Sequence, residues 1–225
     1  MSTTELTGRH VVITGGRSGL GGAVVEAFLE AGATCHLPER SAGGPPRAGV
    51  HAIPGVDLGS EEAVRKLYAE LPSLWASIHL AGGYAGAPFI DTSLTDLNTQ
   101  LQQNLVTAFL CSREAVRKMT SGGRIVNVTS RAALVPSAGS IAYAISKAAV
   151  VALTRSLAEE VKSQEILVNA VAPSTIDTPA NRAAMPRADH ARWVKPAELA
   201  RTILWLARPD NSVTSGAVVP VHGNS

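Results

Sequence analysis

Thr14-Gly15-Gly16-Arg17-Ser18-Gly19-Leu20-Gly21 is the stretch on which the fold turns. It follows a β-branched run, His10–Thr14, and opens a helical pattern from Leu20 to Ala31. A bare glycine pattern says little, but between a strand and a helix each glycine has a physical job. Gly15 permits the sharp turn out of the strand, Gly19 lets backbone approach a pyrophosphate, and Gly21 lets the helix pack close to the sheet. The helix start then offers free N–H groups and a partial positive charge to phosphates. Arg17, Ser18 and Leu20 complete this expected phosphate turn.

Outward from the turn, short apolar runs alternate with helical patterns, the mark of βαβ units and a parallel sheet. Strands are expected at His10–Thr14, Ala33–Leu37, Val50–Val56, Ser77–Leu80, Arg124–Val128, Leu167–Val171 and Ala217–Val221. Most are continuously apolar, as strands covered on both faces should be. Helices are expected at Leu20–Ala31, Glu61–Glu70, Leu94–Met119, Ile141–Val161 and Pro196–Ala207. Ser93 and Asp96 make a capping pair for the third, and Pro196 suits a first helical position. Leu97, Leu101, Leu105, Ala108 and Phe109 fall on one face of that third helix. The expected fold is α/β: a single doubly wound, Rossmann-type parallel sheet of about seven strands, with helices on both faces. Residues 1–225 read as one dinucleotide-binding and catalytic domain. Within it, Ser41–Gly49 is a Gly/Pro-rich loop and Ser174–Lys195 a lid over the substrate site.

Composition narrows the function. The chain has 225 residues, 45% of them hydrophobic and 17% charged, which suits a globular domain with a large core. A net charge of +2 without a long Lys/Arg run gives nucleic acid no electrostatic footing. Cys35 and Cys111 lack metal-ligand or redox spacing, so they read as core residues and no metal is expected. The polar start, Met1–His10, has no secretory pattern, and no run approaches the ~18 apolar residues of a membrane span. The cytoplasm and no membrane partner are expected.

Tyr143 and Lys147 lie four apart in the predicted helix from Ile141, so phenol and ammonium share a face. A nearby cation favours phenolate, lowering the tyrosine pKa and fitting Tyr143 to pass a proton to or from a substrate oxygen. Ser130 follows a strand end, where sites of open parallel sheets gather, and its hydroxyl is placed to hold that oxygen. Asn104 sits among apolar residues of the preceding helix; it either bonds to backbone or links Lys147 through water to solvent.

These four residues, with the Gly-x-x-x-Gly-x-Gly spacing of the phosphate turn, resemble the short-chain dehydrogenase/reductase family over nearly the whole chain. The resemblance implies an NAD(P)-dependent oxidoreductase with Asn104, Ser130, Tyr143 and Lys147 as catalytic residues. Asp57 and Leu58 are similar to the family's adenine contact after the third strand. Ala81, Gly82 and Gly83 match its Asn-Asn-Ala-Gly region, with His79-Leu80 in place of the asparagines. Pro173, Ile176 and Thr178 resemble the stretch that grips the nicotinamide carboxamide, with Ser174 in place of glycine. Three segments also resemble the quinonoid dihydropteridine reductase branch: Gly15-Gly16-Arg17, Ala81–Gly86 and Asp177–Pro186. That branch lacks the serine and asparagine present here.

Glu39 falls about twenty residues past the turn, where an acid accepts ribose hydroxyls and repels a 2′-phosphate. That favours NAD(H), while Arg40 and Arg17 leave NADP(H) open by offering a phosphate clamp. The expected substrate is a small carbonyl or alcohol, with a pterin as the alternative. Tyr84, Ala132, Leu134, Val135, Ser137 and the Asn181–Trp193 segment are positioned to line the pocket, which suits an apolar or ring-shaped molecule. A non-catalytic dinucleotide sensor is the competing class; it has no use for the proton-handling residues. Apolar positions on the helix from Ile141, such as Val150, Val151 and Leu153, point to a homodimer or homotetramer.

Overall fold

A computed structural model describes residues 5–41 and 45–224; residues 42–44 of the expected Ser41–Gly49 loop lie outside the described residues. The described residues form seven strands: β1 (His10–Thr14), β2 (Thr34–Pro38), β3 (Val50–Ile53), β4 (Ala76–His79), β5 (Gly123–Val128), β6 (Ile166–Pro173) and β7 (Val218–Val221). They form one parallel sheet in the order β3-β2-β1-β4-β5-β6-β7. The order reverses between β1 and β4, and ligand clefts open beside such a reversal at the strands' carboxyl ends.

Side chains alternate across each strand and build two cores. Val11 and Ile13 face α1 (Gly19–Glu30) and α7 (Pro196–Ala207), meeting Phe28, Leu199 and Ile203. Val12 faces the opposite layer of α2 (Glu61–Ala69), α4 (Thr107–Lys118) and α5 (Ile141–Glu160), meeting Val64, Leu67 and Leu110. By length and mean hydropathy α5 would also suit a membrane. Here it holds a buried Lys147 and is hydrogen-bonded to the sheet. Val150 and Val151, expected on an intersubunit face, are buried within the chain.

The expected helix Leu94–Met119 is not continuous. α3 (Leu94–Gln100) starts at a capping box of Ser93 and Asp96, then widens into a π-helical turn at Leu101–Val106 before α4 resumes. The buried line is therefore Gln100, Asn104, Thr107, Ala108 and Cys111, while Phe109 is 47% exposed. Two amides displace the leucine stripe from the interior because the wider turn changes which residues face inward.

Those amides belong to a polar interior. Thr154 donates to the Val150 carbonyl, so it accepts from the Asn127 amide nitrogen at 2.9 Å. Asn127 Oδ1 then accepts from His79 Nδ1 at 2.7 Å, which places the imidazole proton on Nδ1. His79 Nε2 accepts from Ser77, and Ser77 in turn accepts from the Tyr68 phenol. Burial holds His79 neutral, its pKa pushed down to about 4. His36, buried beside His10 and His51, is likewise pushed down to about 4.

An unfolded histidine takes up its proton near pH 6.5. Below that pH the unfolded chain binds protons that these two folded side chains refuse, so their contribution to stability is full above about 6.5 and falls toward pH 4. Urea unfolding across that window should show His79→Gln with a pH slope shallower than the native chain's by about one proton. An unchanged slope would remove His79 from this account.

Candidate active site

The glycine turn is built on contacts that no side chain would survive. Gly15 adopts φ +68°, and a Cβ there would lie 3.0 Å from the Ala81 nitrogen. A Cβ on Gly21 would lie 2.1 Å from the Gly15 carbonyl oxygen, so this glycine closes the turn on itself rather than spacing the helix from the sheet. At Gly19 a Cβ would meet Thr178 at 2.9 Å, bringing the start of the 174–195 segment against the turn. Ser18 caps α1, its Oγ accepting from the Gly21 N–H at 3.0 Å. Leu20 turns into the core.

A cleft of about 630 Å³ runs from Gly15–Ser18 past Glu39 and Arg40 to Leu58 and the Ala81–Gly83 loop. Its size is that of a cofactor site. The cradle of glycines at a helix start fits a pyrophosphate, and the cleft beyond it fits the adenosine half of a dinucleotide. Pro38, Ser41, Val56, Gln103 and Thr107 also line it, and the sequence reading missed them. Gln103 and Thr107 are there because of the π-turn, which leaves no local sequence mark. Asp57 is not among the lining residues; its carboxylate accepts from the Gly59 N–H at 3.0 Å, while Val56 and Leu58 form the wall. Glu39 is not free either, because Arg17 Nε binds its carboxylate at 2.7 Å.

At the inner end of the cleft the Asn104 amide grips the backbone of one residue, Gly83, through both of its flanking peptide groups. Its Oδ1 accepts from the Gly83 N–H and its Nδ2 donates to the Gly83 carbonyl, both at 3.0 Å; Nδ2 also reaches Ser146 Oγ on α5 at 3.0 Å. Of the two sequence expectations for Asn104, these bonds are those of the packing role. A Cβ on Gly82 would lie 2.5 Å from Asn104 Oδ1 and 3.3 Å from Lys147 Nζ, so this glycine lets the ammonium reach the cleft wall.

Lys147 Nζ donates to the Val128 carbonyl at 2.9 Å and stands 5.9 Å from the Tyr143 ring centre. Burial pushes the ammonium pKa down to about 8. Burial also raises the Tyr143 phenol above its ordinary value, with the hydrogen-bonded Ser130 hydroxyl pulling it down and Tyr84 pushing it up. The expected lowering by Lys147 is therefore not what the protein alone does: desolvation is the largest influence on the phenol, and Tyr143 stays protonated at neutral pH. Ser130 also caps the turn Arg131–Ala133, accepting from the Ala132 N–H at 3.2 Å.

Pro173 ends β6, and Ser174 is anchored to the His222 carbonyl at 2.7 Å. Ile176 bridges to Val194, and Thr178 caps α6 (Pro179–Ala184), accepting from the Asn181 N–H at 3.2 Å.

A family model described as Enoyl-(Acyl carrier protein) reductase matches residues 15–223. The chain is 30% identical over 243 residues to a 3-oxoacyl-(acyl-carrier-protein) reductase of Aquifex aeolicus, covering 97% of this chain and 98% of the relative. This chain belongs to the short-chain dehydrogenase/reductase family. It is 36% identical over 243 residues to a galactitol 2-dehydrogenase of Rhizobium johnstonii, covering 96% and 95% of the two chains. Among solved structures, ElxO with NADP bound superposes with a TM-score of 0.88 at 25% identity, covering 96% and 97%. A short chain dehydrogenase/reductase family protein superposes at 0.90 with 28% identity, covering 98% of each chain. The protein is thus an oxidoreductase of the short-chain dehydrogenase/reductase type.

The turn geometry separates two neighbouring glycines of this dehydrogenase/reductase. A Cβ on Gly22 would meet nothing within 4 Å, whereas one on Gly21 has no room at all. Gly22→Ala should raise Tm by about 2–3 °C through helix propensity. Gly21→Ala should lower Tm and abolish dinucleotide binding. Thermal melts with and without cofactor check both, and equal shifts would contradict the packing described.

Proposed function

We propose that Asn104, Ser130, Tyr143 and Lys147 are the catalytic set of an enzyme that moves hydride between a nicotinamide dinucleotide and a small carbonyl or alcohol. The convergence of Tyr143, Lys147 5.9 Å from its ring centre, and the Ser130 hydroxyl that lowers the phenol's pKa, beside Gly82 at the inner end of the glycine-lined cleft, carries the reading. When bound, the dinucleotide supplies or takes up the hydride. Ser130 holds the substrate oxygen. Tyr143, kept protonated by its burial, gives that oxygen a proton in reduction and takes one in oxidation. Lys147, charged below about pH 8, stabilises the phenolate left behind. Thr178 accepts from Asn181 and so keeps its hydroxyl hydrogen for the nicotinamide carboxamide.

The Arg17–Glu39 pair bears on cofactor choice. An acid already tied to a guanidinium repels a 2′-phosphate less than a free one, and Arg40 adds a second cation to the same cleft. This favours NADP(H) over the NAD(H) expected from Glu39 alone, in keeping with the NADP and NADPH bound in ElxO structures. The 174–195 segment is proposed as the lid, and exposed Phe109, Ile141 and Ile145 as the surface of a homodimer or homotetramer.

Turnover of NADPH and NADH, followed by absorbance with ketones, aldehydes and a quinonoid dihydropterin, tests the reading. Tyr143→Phe should keep cofactor affinity and lose about 10²–10⁴-fold in kcat; retained turnover would dismiss the role, and a native chain that only binds would make it a sensor. The reduction rate should decline as pH rises through about 8, where Lys147 loses its charge. Glu39→Gln should raise the preference for NADPH by about tenfold, and Arg40→Ala should lower it. Fast pterin reduction with little carbonyl activity would shift the substrate assignment to the pterin branch.

A further inference from the structure

Tyr84 stands beside Tyr143, where the only effect given to it above is to raise the phenol's pKa. Its ring meets the Tyr143 ring edge-on, with centres 5.0 Å apart and planes at 77°. It is nevertheless 69% exposed, so its position is not explained by burial. The loop sets it instead. Asn104 fixes the Gly83 peptide just before it. Gly86 leaves space for its far end, since a Cβ there would lie 2.6 Å from the Tyr84 hydroxyl and 2.6 Å from the Gly139 carbonyl oxygen. Leu134 and Val135, just past Ser130, are also left open, at 38% and 40% exposure. A large aromatic and two aliphatic side chains thus remain open to solvent near the two hydroxyls that hold the substrate oxygen.

We propose that Tyr84 is a specificity-determining residue that selects substrates with a planar, unsaturated ring attached to the reacting carbonyl. The inference rests on the carbonyl oxidoreductase reading of the same site. A carbonyl oxygen held at the Tyr143 hydroxyl brings the substrate to the ring that Tyr84 meets edge-on at 5.0 Å, so a planar ring on that carbonyl can take Tyr84 as its aromatic partner. The edge-on placement of Tyr84 against Tyr143 leaves the rest of its ring for that contact. A saturated ring of the same size is thicker and has no quadrupole, so it gains only area burial.

The test compares acetophenone with cyclohexyl methyl ketone, equal in carbon skeleton and different in planarity, by steady-state kinetics with the preferred cofactor. The native enzyme should favour the aryl ketone in kcat/KM by about tenfold. Tyr84→Ala should bring the ratio of the two ketones' kcat/KM to about one through the aryl ketone's KM, leaving the cofactor KM within about twofold. Tyr84→Phe should retain it, because the ring rather than the hydroxyl makes the contact. Tyr84 is exposed, so both variants should fold, and matching thermal melts confirm it. A preference that is absent in the native enzyme, or that survives Tyr84→Ala, overturns the role of Tyr84 while leaving the oxidoreductase reading intact. A native enzyme that binds cofactor and reduces no carbonyl overturns that reading, and this inference with it.

Discussion

The backbone of Gly83, its N–H and its carbonyl both held by the Asn104 amide, is the joint on which the site depends. It fixes the loop after β4 to the helix layer, and through Ser146 the same amide reaches α5, which carries Tyr143 and Lys147. The joint needs three things at once. Gly82 must lack a Cβ, or Asn104 would have no room. The helix must widen at Leu101–Val106 so that Asn104 turns inward while Gln103 lines the cleft. Lys147 must give its Nζ to the Val128 carbonyl, which ties α5 to the end of β5. A buried amide with its hydrogen bonds met is rigid, and one with a partner removed is costly, so these conditions stand or fall together.

The interior behind that joint explains how a departure from the family pattern is absorbed. His79 takes the place of an asparagine on β4, yet strand-to-strand bridging persists, because an imidazole with its proton on Nδ1 donates to Asn127 and accepts from Ser77. The directions of all these bonds follow from the single fact that Thr154 spends its hydrogen on the Val150 carbonyl. A charged imidazole would turn Ser77 from donor to acceptor and place an unbalanced charge in the interior, and that burial depresses the pKa.

The sheet was legible because its strands are apolar runs between helical patterns, and parallel strands buried on both faces leave that record. The glycine turn was legible because glycine is required there by contact distances that only glycine meets. The long helix was not, because a π-turn is decided by what the side chains meet across the layer, and the leucine periodicity of Leu97, Leu101 and Leu105 pointed the other way. Gln103 and Thr107 were lost with it. The protonation of Tyr143 was misjudged for a related reason: spacing along a helix places two side chains on one face, but burial sets the balance between a cation and desolvation.

These differences divide the site into two parts with different freedom. At the cofactor end, Thr178 packs against Gly19, and its neighbour Asp177 receives Arg182 and Lys195, so the start of the 174–195 segment is bound to the glycine turn and to the head of α7. Arg182 and Lys195 hold the Asp177 carboxyl far below the usual carboxylate range, so the carboxylate of this knot stays charged at neutral and mildly acidic pH. Change there disturbs several elements together. At the end proposed for the substrate, Tyr84, Leu134 and Val135 are exposed and hold up little else. On the proposed reading, a fold whose hydride and proton machinery is interlocked and whose substrate wall is made of open side chains changes substrate by replacing those side chains while the chemistry stays where it is.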